Sequence, residues 1–176
     1  MFADFKPVLK ILLRFIILYV VLVLAYNFYL KPFEGTDLDP FSYWVADQVV
    51  FVQNSLGYFT ELIPYPTFET AVFQTEKIDV SRMVEGCNAV SVLILFLAFV
   101  FAFYKGYKTF LFVIAGIIIM HIANVLRIVG LNLVILEHPD YGDFTHDYLF
   151  PAAIYGMVVV LWLVWIKFFA LKDENI

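Results

Sequence analysis

Charge is scarce in this chain: Asp, Glu, Lys and Arg make up 15% of its 176 residues, where soluble domains carry about a quarter. With 63% apolar residues beside it, that scarcity excludes a soluble globular enzyme. It also excludes a disordered chain, which would lack so much apolar surface. Only 8 glycines are present, so no collagen-like repeat exists. A single cysteine, Cys87, rules out a disulfide scaffold and any bridge within the chain. An excess of basic residues is missing too. Eleven Lys and Arg face 16 Asp and Glu, for a net charge of −5, so nucleic acid is not an expected partner. No internal repeat or low-complexity tract is present. What remains is an integral membrane protein, 19% aromatic, with a mean hydropathy of +0.88.

A spanning helix needs about 20 mostly apolar residues. Four stretches qualify, at about 8–30, 87–104, 109–136 and 148–169. The first has basic residues at its start but no small-residue cleavage site, and its apolar run exceeds the core of a signal peptide. It is therefore read as a retained helix. With four spans, Lys6, Lys10, Arg14, Lys105, Lys108, Lys167 and Lys172 all fall on one side, which the positive-inside rule makes cytoplasmic. Only Asp4, Asp173 and Glu174 of the acids share that side. Both termini are then inside, and the segment 31–86 and the loop 137–147 are outside. Within 31–86, residues 41–59 carry Val45, Val49, Val52 and Leu56 at helical spacing among Asp47, Gln48, Gln53 and Asn54. This pattern predicts an amphipathic helix lying at the interface rather than a fifth span. Residues 68–80 alternate and contain β-formers, predicting a small hairpin. The expected fold is thus all-α: one membrane domain over 1–176, a bundle of about four helices carrying an extracytoplasmic helix and hairpin.

Ionisable groups at membrane depth are costly and mark function by default. Arg127 lies 19 residues beyond Lys108, roughly 28 Å along a helix. Cys87 lies 18 residues before Lys105, roughly 27 Å. His146 lies 21 residues before Lys167, roughly 31 Å. Measured from the basic boundary, the three reach a similar depth from three different helices. A thiol, a guanidinium and an imidazole can therefore converge at one outer face. Each also has a plainer role: Cys87 as a small buried hydrophobe, Arg127 snorkelling to headgroups, His146 as a solvated loop residue. Together they suit nucleophilic chemistry, with the cysteine as nucleophile, the histidine as proton carrier and the arginine holding an oxyanion or a carboxylate. Asn124, one turn before Arg127, either orients it or satisfies a helix contact. Glu85 either pairs with Arg127 or His146 or is solvated. His121, deeper on the same helix, is expected to make an interhelical hydrogen bond. His138 and Asp140 lie near His146, but no metal-binding spacing appears, so neither metal nor cofactor is expected.

At these residues the chain resembles the exosortase/archaeosortase family of membrane transpeptidases, and among them the small F-type exosortases of Bacteroidetes. The resemblance rests on Glu85-Gly86-Cys87-Asn88-Ala89, on Asn124-Val125-Leu126-Arg127 and on His146, and covers roughly residues 84–169. Asn88-Ala89 departs from the Ser-Gly that usually follows the cysteine, which questions any backbone geometry requiring glycine there. The resemblance implies an enzyme of the bacterial cytoplasmic membrane with an extracytoplasmic site. It implies cleavage of a C-terminal sorting tail on secreted proteins and transfer of the product to a lipid or amine acceptor. Cys87 would form a thioester, Arg127 would stabilise the oxyanion or orient the thiolate, and His146 would act as acid and then base. Apart from these partners, only membrane lipids are expected. The competing expectation is a non-enzymatic accessory subunit of a secretion or envelope-assembly system, whose polar groups hold helices together. A small transporter is disfavoured, because neither an inverted repeat nor a broken helix pair is present.

Overall fold

A computed structural model describes residues 6–65 and 69–170. Asp4, Lys172, Asp173 and Glu174, used above for orientation, lie outside the described residues, as does Phe68 at the start of the predicted hairpin. In chain order the elements are α1 (Lys6–Leu30), α2 (Pro40–Ser55), β1 (Thr60–Tyr65), β2 (Thr70–Thr75), β3 (Ile78–Met83), a 3₁₀ turn (Glu85–Asn88), α3 (Val90–Ala102) and α4 (Tyr107–Glu137). A short 3₁₀ turn (Pro139–Tyr141), the single-turn α5 (Gly142–Phe144), a π turn (Thr145–Leu149), α6 (Phe150–Trp165) and a closing π turn (Ile166–Ala170) follow. Helix dominates, and three stretches are long and apolar enough to cross a membrane: Val8–Leu30, Tyr107–Glu137 and Pro139–Ala170. Composition and these helices together make this a membrane protein.

Two of the expected elements differ. The stretch 87–104 forms a helix only over Val90–Ala102, 13 residues, or roughly 20 Å. Its start is set by Ala89, whose backbone is left-handed (φ 62°, ψ 12°) and cannot continue a right-handed helix. Nor is the fold purely helical, because the predicted hairpin is a three-stranded antiparallel sheet, β1-β2-β3, reaching back to Thr60 and on to Met83.

The chain forms two compact units. The first comprises the chain up to Tyr29, Val90–Met120, and the chain from Tyr155 onward. Its core joins Phe96 and Val100 of α3, Val113 and Met120 of α4, and Val158, Leu161 and Trp165 of α6. Phe112, Trp165 and Phe169 cluster with centroids 4.9–5.6 Å apart, Trp165 and Phe169 stacked and Phe112 tilted against both, within the range for favourable aromatic pairs. The described side chains of α1 are largely uncovered: Leu9, Leu13, Val21 and Leu24 are exposed, as a helix facing lipid requires. Gly116 of α4 provides the space for Phe96, which is fully buried; a Cβ there would stand 2.3 Å from Phe96 Cζ.

The second unit comprises Leu30–Ala89 and His121–Ile154. α2 begins on a designed stop: Asp39 accepts hydrogen bonds from the Phe41 and Ser42 amides, both at 3.0 Å, and Pro40 follows at the first helical position. Its buried face is Ser42, Val45, Ala46, Val49 and Gln53. That face packs on Phe73, Val80 and Met83 of the sheet and on Val125, Ile128 and Val129 of α4. The apolar stripe is thus covered by protein, and Leu56, expected within it, caps the helix and is exposed. Glu76 and Lys77 both take positive φ (51° and 68°), as the tight two-residue turn between β2 and β3 demands. Polar side chains cross this core as a chain. Asn132 donates to Gln53 (2.8 Å), Gln53 to Thr75 (3.4 Å), and Ser81 to Asn132 (2.5 Å). Gln53, Thr75 and Asn132 are fully buried, and each bond offsets a desolvation cost of about 1–3 kcal/mol.

Gly116→Ala is expected to force Phe96 off its seat and to lower stability by about 1–3 kcal/mol, read as a lower Tm for the detergent-solubilised protein.

Candidate active site

Cys87 sits in the 3₁₀ turn that follows β3, and that turn is fastened from two sides. Its amide donates to Val84 O (2.8 Å). Its carbonyl accepts from Asn124 Nδ2 (2.9 Å) and from Arg127 Nη2 (3.2 Å), one turn apart on α4. On the other side Asn88, buried, donates to Ser42 Oγ (2.9 Å), and Ser42 donates in turn to Asp39 Oδ2 (2.5 Å). The residue that caps α2 therefore also holds the turn bearing the thiol. Ala89 then takes up the left-handed conformation that a glycine would adopt freely. The departure from Ser-Gly leaves that geometry in place and transfers its cost, roughly 1–2 kcal/mol, to an alanine.

Cys87, Arg127 and His146 line one cavity of about 450 Å³. Arg82 of β3, Leu131 of α4 and Asp143 of α5 line it with them. Cys87 is partly accessible. Arg127 is half-buried and uses its guanidinium on the Cys87 main chain, and its Nε is buried with no partner. His146 lies in the π turn, its side chain 62% exposed, and its Nδ1 donates to the Asp147 carboxylate at 2.8 Å. That bond occupies Nδ1, so proton exchange with a ligand falls to Nε2.

The supporting residues divide. Asn124, 1% exposed, makes a helix contact by bonding Cys87 O. Glu85 is exposed and lines a separate 180 Å³ pocket with Glu34, Asp37, Asp39 and Glu69. Partial burial, then Asp39, Glu69 and Glu34 around it, raise its carboxyl above the usual range. Among the described residues it makes no ion pair with Arg127 or His146. His121 Nε2 lies 2.8 Å from Gln48 Oε1, and its ring stacks on Trp44 at 4.8 Å, the interhelical bond expected of it. His138 packs edge-on to Tyr141 at 6.3 Å. Among the described residues no group of three or more His, Cys, Asp or Glu is placed to hold a metal ion.

Sequence reasoning missed Arg82, Asp143 and Asp147. Arg82 lies beyond the predicted end of the hairpin, and the third strand alone brings it to the cavity. The two aspartates stood in plain view beside His146, but a polar loop gives no period by which to choose among its acids. No family model, curated protein or solved structure matches the chain.

Two outcomes follow from this geometry. Ala89→Gly relieves the left-handed strain but frees the unfolded chain, so a net gain of up to about 1 kcal/mol is expected, read as a raised Tm. Glu85→Gln removes a carboxylate whose raised pKa marks the folded charged form as unfavourable. The folded state holds that proton more tightly than the unfolded one, so the penalty grows as pH rises through the carboxylate range. A modest rise in Tm is expected at pH 7–8, fading as the pH falls towards about 4.

Proposed function

We propose that this chain is an exosortase-like cysteine transpeptidase of the bacterial cytoplasmic membrane, cleaving a C-terminal sorting tail on secreted proteins. The observation that carries the reading is the shared cavity: thiol, guanidinium and imidazole, drawn from a turn after β3, from α4 and from the π turn, line one space. In this reading the chain crosses the membrane four times with both termini cytoplasmic. The second crossing element, α3, is roughly 20 Å long, and the 3₁₀ turn precedes it in the chain. The cavity then opens on the extracytoplasmic side, where the scissile bond of a membrane-anchored tail emerges.

His146 Nε2 takes the Cys87 proton, and the sulfur attacks the scissile carbonyl carbon. The oxygen becomes an anion beside the permanently charged Arg127. The C–N bond breaks, the leaving amine takes the proton from His146, and a thioester remains on Cys87. An amine or lipid-borne nucleophile then gives its proton to His146 and attacks the thioester. The C–S bond breaks, and the leaving thiolate takes that proton from His146, which restores the thiol. Asp147 holds the imidazole through Nδ1 in both steps.

A second reading, a non-enzymatic accessory subunit of an envelope-assembly system, draws on the bonds from Asn124 and Arg127 to a main-chain carbonyl. Those bonds are what residues that merely fasten helices would make.

Mass spectrometry of secreted-protein C-termini, comparing cells with the native protein and with Cys87→Ala at equal abundance, separates the two. The enzyme reading expects hydrophobic tails to persist only in the variant, with processing slowed on the order of 10³-fold or more. Unchanged C-termini would leave the accessory reading.

A further inference from the structure

The wall of the cavity on the sheet side is unusual in being continuous. Val80, Ser81, Arg82, Met83 and Val84 all line it. Successive residues of a strand point to opposite faces of a sheet, so a cavity lying on one face would meet only alternate residues. Four of the five belong to β3, and Ser81, Arg82 and Met83 pair with β2 in unbroken register beyond the bulge at Val80, so a lining that includes all three follows the edge of the strand. That edge is open: β3 is the last strand of the sheet. Among the described residues no backbone group outside the sheet bonds to it. The opposite edge is blunted, because β1 carries Pro64 and loses a donor there. β3 has no proline. The hydrogen bond from Ser81 to Asn132 fixes its register against α4, and three residues after Val84 the chain reaches Cys87.

We propose that the peptide to be cleaved docks as an added strand on the free edge of β3, pairing its backbone with residues 80–83 and placing an acidic side chain against Arg82. This rests on the enzyme reading above and adds to it how the substrate is held. Edge addition is a general mode of peptide capture, in which main-chain hydrogen bonds give affinity and flanking side chains give selectivity. From Val80 to Met83 the edge spans roughly 10 Å, room for a segment of about four extended residues. Its end lies at the 3₁₀ turn, so a chain paired along it is led to the thiol. The charge points the same way. Apart from Cys87 and His146, the ionisable side chains of the wall are Arg82, Arg127 and Asp143. That is a cationic balance in a chain where 16 acids outnumber 11 bases. Arg127 bonds the Cys87 carbonyl through Nη2 and serves the reacting oxygen in the mechanism above, whereas Arg82 is exposed and makes no ion pair among the described residues. It is the cation left to meet a carboxylate.

The test uses the full-length Cys87→Ala protein in lipid nanodiscs, with the photocrosslinker p-benzoylphenylalanine in place of Val84 and, separately, of Ile78. Both residues are exposed, so either variant can stand in if the other folds poorly. The same crosslinker at exposed Phe51 on α2 is the control. The probes are capped, biotinylated hexapeptide mixtures, one rich in Asp and Glu and one in Lys and Arg. Each is made with ordinary amides and with the inner amides replaced by esters, which removes the donors with little change of shape. Labelling at the β3 positions is expected to exceed the control. It should favour the acidic mixture about fivefold, fall at least tenfold with the ester backbone, and lose its charge preference on Arg82→Gln. Labelling no greater than at Phe51, or indifferent to the ester backbone, overturns the proposal. The comparison of C-termini is read independently. Tails that accumulate without ester-sensitive labelling keep the enzyme reading and remove the edge. Ester-sensitive labelling without tails keeps a peptide-binding edge and removes the enzyme reading.

Discussion

A helix apolar enough to cross a membrane carries four hydrogen-bonding side chains, His121, Asn124, Arg127 and Asn132, on one face of α4. At 100° per residue they fall within an arc of about 140°. None can be left dry and unbonded without a cost of several kcal/mol. Much of the second unit is the answer to that demand. α2 supplies Gln48 to His121 and Gln53 to Asn132. β3 supplies Ser81 to Asn132, and the turn after it supplies the Cys87 carbonyl to Asn124 and Arg127. Helix, sheet and turn are fixed in register by partners that a displacement of one residue would strand.

The same bonds shape the cavity. A carbonyl held by two donors from α4, with an amide bonded back to Val84, leaves the Cys87 main chain little freedom. The thiol is then positioned by this backbone geometry and by packing of the Cys87 side chain against the core of the second unit. Asn88 extends the anchoring through Ser42 to Asp39 at the start of α2. Tyr43, whose hydroxyl is partly buried and donates to Asp37, has its pKa pushed up to about 12. It therefore stays neutral at any physiological pH.

The long apolar helices were legible because hydrophobic length needs no knowledge of tertiary partners. Val8–Leu30 and Tyr107–Glu137 stand where runs of apolar residues place them, while the last stretch begins at Pro139 and takes in most of the residues read as an outer loop. Three residues at equal depth from a basic boundary could also be named, since helical rise converts residue number into distance. What sequence could not supply was the partner across the gap. Gln48 and Gln53 read as the polar face of a surface helix, yet both reach α4. Val49 reads as membrane-facing and is buried on the sheet. Arg127 reads as a charge awaiting a carboxylate and instead meets a main-chain carbonyl, an acceptor every residue carries and no motif announces. Short strands fared no better: β3 has little alternation, and its place depends on β2 and on Asn132.

Thr145–Leu149 is wound as a π turn between α5 and α6. Such a turn holds one residue more than α winding would. An α turn lacking that extra residue covers nearly the same rotation, so losing one residue would leave the segment before it facing much as it does now. What would disappear is the bulge itself, and His146 and the Asp147 that holds it both sit within it. The extra residue therefore serves to displace the imidazole from uniform winding while the path of the flanking helix stays as it is.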